Sequence, residues 1–188
     1  HALKNAWQDS PLYPALIAES TEKRLGSISA QDLETLMAQY PDSAAIANLR
    51  WKKLFRLGRA NWYKDFLFLY RPTDSVELNC YKLEARYRLK QAKDADHREA
   101  VRLWTHGKSQ PKACDTLFSL IQQRGLITKE VRLRRIDHAL EKRQLQLARW
   151  LAKPLEQSAT KHINAWAQAR RQPAAFLTKQ AAQFPEWV

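Results

Sequence analysis

Helix-length segments separated by regularly spaced breaks run along the whole chain of 188 residues. The breaks contain glycine or proline, and the segments between them span roughly 10 to 18 residues, the usual length of a helix. Several segments repeat apolar residues every three or four positions, which is the period of an amphipathic helix. No segment alternates apolar and polar residues for long enough to indicate a strand. The sequence therefore predicts an all-α fold.

The whole chain contains four glycines, too few for the tight turns of a β-architecture. Short breaks between helices imply antiparallel neighbours, so the expected units are αα-hairpins. Because these units continue in one pattern, a right-handed superhelix, or solenoid, of antiparallel αα-hairpins fits better than a compact bundle. We expect Trp51, Trp104 and Trp166 to be largely buried between helices. Gly107 and Gly125 are expected to close two helices in the left-handed conformation.

The formal net charge of +13 limits the partners of the chain rather than its fold. Nucleic acid, an anionic membrane surface and an acidic polymer such as peptidoglycan, whose stem peptides carry carboxylates, all suit this charge. No run approaches the roughly 18 apolar residues of a membrane span, so no such span is predicted. The chain begins at His1 without a signal peptide, so we expect a processed or shortened form.

Catalytic and metal-binding chemistry find little support in the residue pattern. Glu19, followed by Ser20, suggests a general-acid glutamate, but it lies at the polar end of a short helix, where no apolar cleft would raise its pKa. We therefore predict no catalytic residue. No pair of cysteines or histidines has the spacing of a metal site, and we expect Asp94, Asp96 and His97 to form a solvated helix start. Neither a metal nor a cofactor is predicted.

Basic residues are mixed with aromatic residues at positions 50–53 and 81–88, as is typical of proteins that bind single-stranded nucleic acid. The aromatic residues occupy the apolar stripes of their helices, so a role in the core is the simpler interpretation and no nucleic-acid partner is expected. The basic run at positions 132–135 predicts a solvated face, which could also contact an anionic glycan and its peptides.

Three segments carry specific matches to a known family: residues 11–16 (PLYPAL), residues 79–81 (NCY) and residues 103–119 (LWTHGKSQPKACDTLFS). They resemble the N-terminal superhelical, U-shaped domain of the soluble lytic murein transglycosylases, and the resemblance covers nearly the whole chain. It implies a single α-superhelical domain over residues 1–188, without the lysozyme-like catalytic domain. The catalytic glutamate of the family and its substrate-groove motifs have no counterpart in this sequence.

The family consists of periplasmic enzymes that cleave peptidoglycan between N-acetylmuramic acid and N-acetylglucosamine and leave a 1,6-anhydro product. The resemblance therefore implies a periplasmic, non-catalytic scaffold and murein-binding portion acting in peptidoglycan turnover. Glycan strands, and other cell-wall enzymes, are the expected partners. The residues that we predict for a basic murein-contact surface are Arg50, Lys53, Arg132 and Arg135. The alternatives are a nucleic-acid-binding helical solenoid and a protein-binding adaptor for the cell-wall machinery.

Two cysteines permit one disulfide bond, and their number alone leaves a pair of buried thiols equally open. The resemblance places Cys80 and Cys114 near cysteines of the family, whose compartment is oxidising. It therefore implies a partly buried disulfide bond that joins two helices about one hairpin apart.

Overall fold

The computed structural model describes residues 10–155 and 157–180, which form eleven α-helices, so the all-α prediction is confirmed. These residues divide into two compact units. The first contains the described residues up to Lys93 together with Ala113–Leu117, and the second contains Asp94–Lys112 with the described residues from Phe118 onward. A single domain over residues 1–188 stays a prediction. None of the described helices is long and apolar enough to cross a membrane.

Helix α3 is the centre of the first unit, because the other four helices of the unit all pack against it. Serine side chains at positions 29, 43 and 75 accept a backbone N–H at the start of α2, α3 and α5 and so cap these helices. The five helices are α1 (Tyr13–Lys23), α2 (Ala30–Gln39), α3 (Ala44–Arg59), α4 (Tyr63–Leu69) and α5 (Val76–Arg88).

The buried face of α3 is not the face on which its tryptophan lies. Ile46, Leu49 and Leu57 are each at most 2% exposed and belong to the core of the first unit. Trp51 projects from the other side of the helix and is 42% exposed, so its predicted burial is wrong. The aliphatic residues of α3 recur with the helical period and set its rotation, because together they remove more apolar surface from water than one indole does.

A disulfide bond joins Cys80 of α5 to Cys114, within the first unit. Both residues are fully buried, whereas the sequence predicted partial burial. Cys114 belongs to the 3₁₀-helix Lys112–Cys114 and not to the helix that follows. The bond therefore fixes this short turn to the interior of the unit.

The second unit contains α6 (Asp94–Trp104), α8 (Lys129–Glu141), α9 (Leu145–Ala152), α10 (Gln157–Arg171) and α11 (Pro173–Gln180), while α7 (Asp115–Gln123) has residues in both units. Consecutive helices from α8 to α11 pack against each other. Trp104 is 3% exposed, which confirms its predicted burial. Trp166 is half-buried, with the guanidinium of Arg170 5.2 Å from its ring centroid, so the burial predicted for it is only partly correct.

Four helices end in the same hydrogen-bonded turn, whose central residue has a positive φ. These residues are Asn61, Lys90, Gly125 and Arg143. In each turn the N–H of the next residue returns to a carbonyl five positions earlier, as in the Schellman motif. The prediction for Gly125 is confirmed, and the prediction of a left-handed Gly107 is wrong, since Gly107 has no positive φ.

The disulfide bond should stabilise the chain mainly by restricting its unfolded state. We expect the reduced protein to lose about 3–4 kcal/mol of unfolding free energy, because the bond closes a loop with a sequence separation of 34 residues. Urea denaturation with and without reductant measures this loss. Two titratable thiols in the denatured, unreduced protein would contradict the bond itself.

The interior of the first unit also contains a carboxylate. Glu84 is 4% exposed and accepts a hydrogen bond of 3.1 Å from the hydroxyl of Tyr63. Burial raises the pKa of Glu84, and the opposing effects of Tyr63 and Arg88 are smaller. The folded state therefore binds this proton more tightly than the unfolded chain does.

This raised pKa predicts a pH-dependent gain in the variant Glu84→Gln. Below about pH 4.3, the ordinary pKa of glutamate, Glu84 is protonated in both the folded and the unfolded wild-type protein. As the pH rises from there through the higher pKa of the folded state, the wild-type protein should lose stability relative to the variant. At neutral pH the variant should be the more stable protein, because its amide oxygen still accepts from Tyr63 and carries no charge. Thermal unfolding of both proteins at pH 4 and pH 7 measures the stability of the variant relative to the wild-type protein. The same relative stability at both pH values would refute the prediction.

Candidate functional site

Two residues of the predicted basic surface belong to the first unit, and one of them is an interior residue. Lys53 is 3% exposed, and its Nζ donates to the carbonyl oxygens of Leu25 at 3.0 Å and Ile28 at 2.7 Å. Burial lowers the pKa of Lys53, and the positive charge of Arg56 adds to this effect. Arg50 is half-buried, and its Nε lies 3.3 Å from the sulfur of Met37. The assignment of Lys53 to a murein-contact surface is therefore wrong.

The other two predicted residues, Arg132 and Arg135, are 9% and 5% exposed, so the prediction of a solvated basic face fails for them as well. Their guanidinium carbons lie over the ring of Trp104, at 5.6 and 4.6 Å from its centroid. The aromatic face attracts the two cations, which explains how basic residues come to lie in the interior.

The structure instead brings exposed basic residues together in an open groove of about 790 Å³ in the second unit. We call it the basic groove. Seven of its lining side chains are basic or imidazole groups, and one, Glu141, is a carboxylate. This imbalance makes the groove attractive to anions. The seven are His97, Arg98, Arg102, His106, Arg134, His138 and Lys142.

Two helices and one turn position these side chains. Arg98 and Arg102 are four residues apart on α6, so they project from the same face of that helix. Arg134, His138 and Lys142 repeat the same spacing along α8 and its C-terminal cap. The turn after α6 contributes the remaining wall of the groove. Sequence reasoning missed this site, although the spacing of its residues on each helix was visible in the sequence.

His138 is fixed in orientation at the wall of the groove. Its Nδ1 lies 2.9 Å from the carbonyl oxygen of Thr105, a buried residue at the end of α6. A carbonyl oxygen only accepts, so Nδ1 carries a proton and donates it. Nε2 is consequently the ring nitrogen that this hydrogen bond does not use. The groove therefore contains one imidazole whose orientation is set by the backbone at the end of α6.

Gly107 allows the turn after α6 to approach α8 closely. A Cβ atom at this position would lie 2.3 Å from the carbonyl oxygen of His138 and 3.0 Å from Cγ of Lys142. The absence of a side chain, rather than a left-handed backbone, is therefore why glycine suits this position. The same close contact holds the turn beside the residues of α8 that line the groove.

Two further expectations concern chemistry outside the groove. Glu19 is exposed and forms an ion pair of 3.8 Å with Lys23, four residues along its helix, so no apolar cleft surrounds it. Asp96 is 2% exposed, which corrects its assignment to a solvated helix start, while Asp94 is exposed. Within residues 10–155 and 157–180, no three histidine, cysteine or acidic side chains lie together as a metal site would require.

The close contact of Gly107 predicts a specific effect of adding one methyl group. We expect Gly107→Ala to cost about 3 kcal/mol of unfolding free energy, since the new atom would meet a backbone oxygen that cannot move alone. It should also shift the imidazole resonances of His138. Gly125→Ala is the matched control, because nothing lies within 4 Å of its added atom.

The control should cost only about 1 kcal/mol, the strain of a positive φ in alanine, and should leave the His138 resonances unchanged. Urea denaturation and proton spectra of both variants provide the two measurements. Equal losses of stability with no shift at His138 would show that the contact at Gly107 is unimportant.

Three solved structures with a similar fold are lytic transglycosylases. An inactive mutant of lytic transglycosylase Slt from Pseudomonas aeruginosa aligns over 93% of this chain, with a TM-score of 0.77 and 30% sequence identity. The 70 kDa soluble lytic transglycosylase from Escherichia coli aligns over 93% with a TM-score of 0.74 and 24% identity, as does the complex of a 70-kDa soluble lytic transglycosylase with bulgecin A. The resemblance to soluble lytic transglycosylases that the sequence indicated is confirmed.

The chain covers only 29% of the Pseudomonas protein and 28% of the Escherichia coli protein. No protein-family model and no curated protein sequence matches it. The similarity therefore concerns a helical segment that is less than a third of the length of these neighbours.

Proposed function

We propose that this chain is a non-catalytic helical scaffold of a periplasmic soluble lytic transglycosylase acting in peptidoglycan turnover. We further propose that its basic groove binds the acidic stem peptides of murein strands. The observation that carries the second proposal is the composition of the groove, whose lining includes seven basic or imidazole side chains and one carboxylate.

Charge and shape both support murein as the ligand of this groove. The groove is open, so it can accept a segment of a continuous polymer without an end having to enter first. Arg102 and Arg134 are exposed, one on each of the two helices, and can therefore contact carboxylates that follow one another along a strand. The net charge of +13 adds a long-range attraction for any polyanion.

The scaffold role rests on two observations. The chain aligns with a helical segment of lytic transglycosylases, and the sequence contains no counterpart of the catalytic glutamate and its surrounding motifs. Glu19 lies in water beside Lys23, whereas a general acid needs surroundings that keep its carboxyl group neutral. Cleavage is accordingly the work of another part of such an enzyme, and this part supports it and holds the strand.

Charge reversal in the groove should weaken binding to purified murein sacculi. We expect the double variant Arg102→Glu/Arg134→Glu to bind about tenfold more weakly at low salt. Each exposed ion pair contributes roughly 0.2–1 kcal/mol, and the reversal replaces two attractions by repulsions. Wild-type binding should also weaken strongly between low salt and about 0.5 M salt, as screening requires. Co-sedimentation with sacculi measures both effects.

The double variant Arg24→Glu/Lys64→Glu is the charge-matched control, since both residues are exposed and lie in the first unit. It should bind nearly as well as the wild-type protein. If it loses as much affinity as the groove variant, net charge and not the groove is responsible. Tighter binding to single-stranded DNA than to sacculi at physiological salt would favour the nucleic-acid alternative instead.

A further inference from the structure

A second cavity of the second unit, of about 370 Å³, is lined by residues of α8 and α10. We call it the α8–α10 pocket. Ile136, Leu140 and Ile163 are at most 8% exposed and give the pocket an apolar wall, to which the half-buried indole of Trp166 also belongs. A cavity of this size with an apolar wall is typical of small-molecule sites, in which a few polar groups select the ligand.

Two carboxylates supply most of the polar part of this lining. Asp137 and Glu141 are four residues apart on α8, so they project from the same face of the helix, and like charges at this spacing repel each other. Partial burial raises the pKa of Asp137, an effect that His138 opposes and the charge of Glu141 reinforces. A cation that entered the pocket would therefore interact favourably with both carboxylates.

The chain itself does not supply this cation within the part that the structure describes. There, neither Asp137 nor Glu141 forms an ion pair, although the sequence contains 32 lysines and arginines. The basic residues at positions 134, 138 and 142 of the same helix and its cap line the basic groove and not the α8–α10 pocket. Among the described residues that line the pocket, His162 is the only one that can carry a positive charge. Even with His162 protonated, the lining therefore keeps an excess of negative charge, in contrast to the chain as a whole.

We propose that the α8–α10 pocket binds a primary ammonium group that is carried on a short aliphatic chain. The ammonium group would donate hydrogen bonds to the carboxylates of Asp137 and Glu141, while the aliphatic chain would lie along the apolar wall. The same carboxylates would repel an anionic ligand. A lysine side chain of a peptide and a free alkylamine share this chemistry. The proposal does not depend on murein binding by the basic groove, with which the pocket shares only Glu141.

Nuclear magnetic resonance of the full chain tests the pocket directly. The probes are Nα-acetyl-L-lysine amide, which represents the peptide side chain, and pentylamine, which represents the free amine. Both should cause saturable shifts of the indole N–H signal of Trp166 and the methyl signals of Ile163, and the tighter probe identifies the source of the ammonium group. Nα-acetyl-L-norleucine amide lacks only the ammonium group of the first probe and should bind about tenfold more weakly.

Variants separate the pocket from nonspecific binding of an amine. Asp137→Asn keeps the shape of the side chain but removes its charge, so it should weaken binding of the lysine probe about fivefold, the upper end of what an exposed ion pair contributes. Glu141→Gln should also weaken binding, and it serves if Asp137→Asn alters the spectrum of the free protein. Asp42→Asn removes one exposed carboxylate from the first unit and should bind like the wild-type protein. Equal affinity for the norleucine probe, no saturable shift with either amine, or equal losses in all three variants would overturn the proposal.

Discussion

An excess of cations over carboxylates determines how this chain builds its interior, since 32 lysines and arginines accompany 19 acidic residues. A buried cation ordinarily takes a carboxylate as its partner. Lys53 instead donates to two backbone carbonyl oxygens, and Arg132 and Arg135 lie over the ring of Trp104. Carbonyl dipoles and the faces of aromatic rings offer negative potential without net charge, so the chain can bury basic side chains while retaining its positive charge.

The same excess gives α8 two kinds of basic residue. Arg134 is exposed and lines the basic groove, while Arg132 and Arg135 are buried beside it in sequence. An exposed guanidinium keeps its water and interacts weakly and over a distance, which suits a polymer with many carboxylates. The buried guanidinium groups instead lie over the ring of Trp104, whose face offsets part of the cost of removing their charge from water. One short helix thus contributes basic residues both to the surface of the groove and to the interior of the unit.

The class of fold was predictable because it depends on local signals that short segments carry by themselves. Short polar residues that can cap a helix precede both α3 and α5, at positions 42–43 and 73–75, and the serine of each group, Ser43 and Ser75, is the cap in the structure. Helix ends were harder. Glycine at position 58 is typical of a break, but α3 continues through it to Arg59. The ring of Tyr81 occupies the space where a side chain would lie, so glycine serves packing here and does not end the helix. The turn that does end α3 has Asn61 at its left-handed position, a residue that gives a weaker signal than glycine.

The candidate site was less predictable, because burial of a basic residue depends on what another helix places beside it. Leu133, Ile136 and Leu140 recur with the helical period along α8, but only Ile136 and Leu140 are buried, while Leu133 is 38% exposed. The helix is turned so that Arg132 takes an interior position, with its guanidinium carbon 5.6 Å from the centroid of the Trp104 ring. A leucine in contact with the indole would gain only apolar burial, whereas arginine gains burial of its stem and attraction to the ring. Trp104 of α6 is therefore the neighbour that allows Arg132 and Arg135 to be buried, while Arg134 faces water.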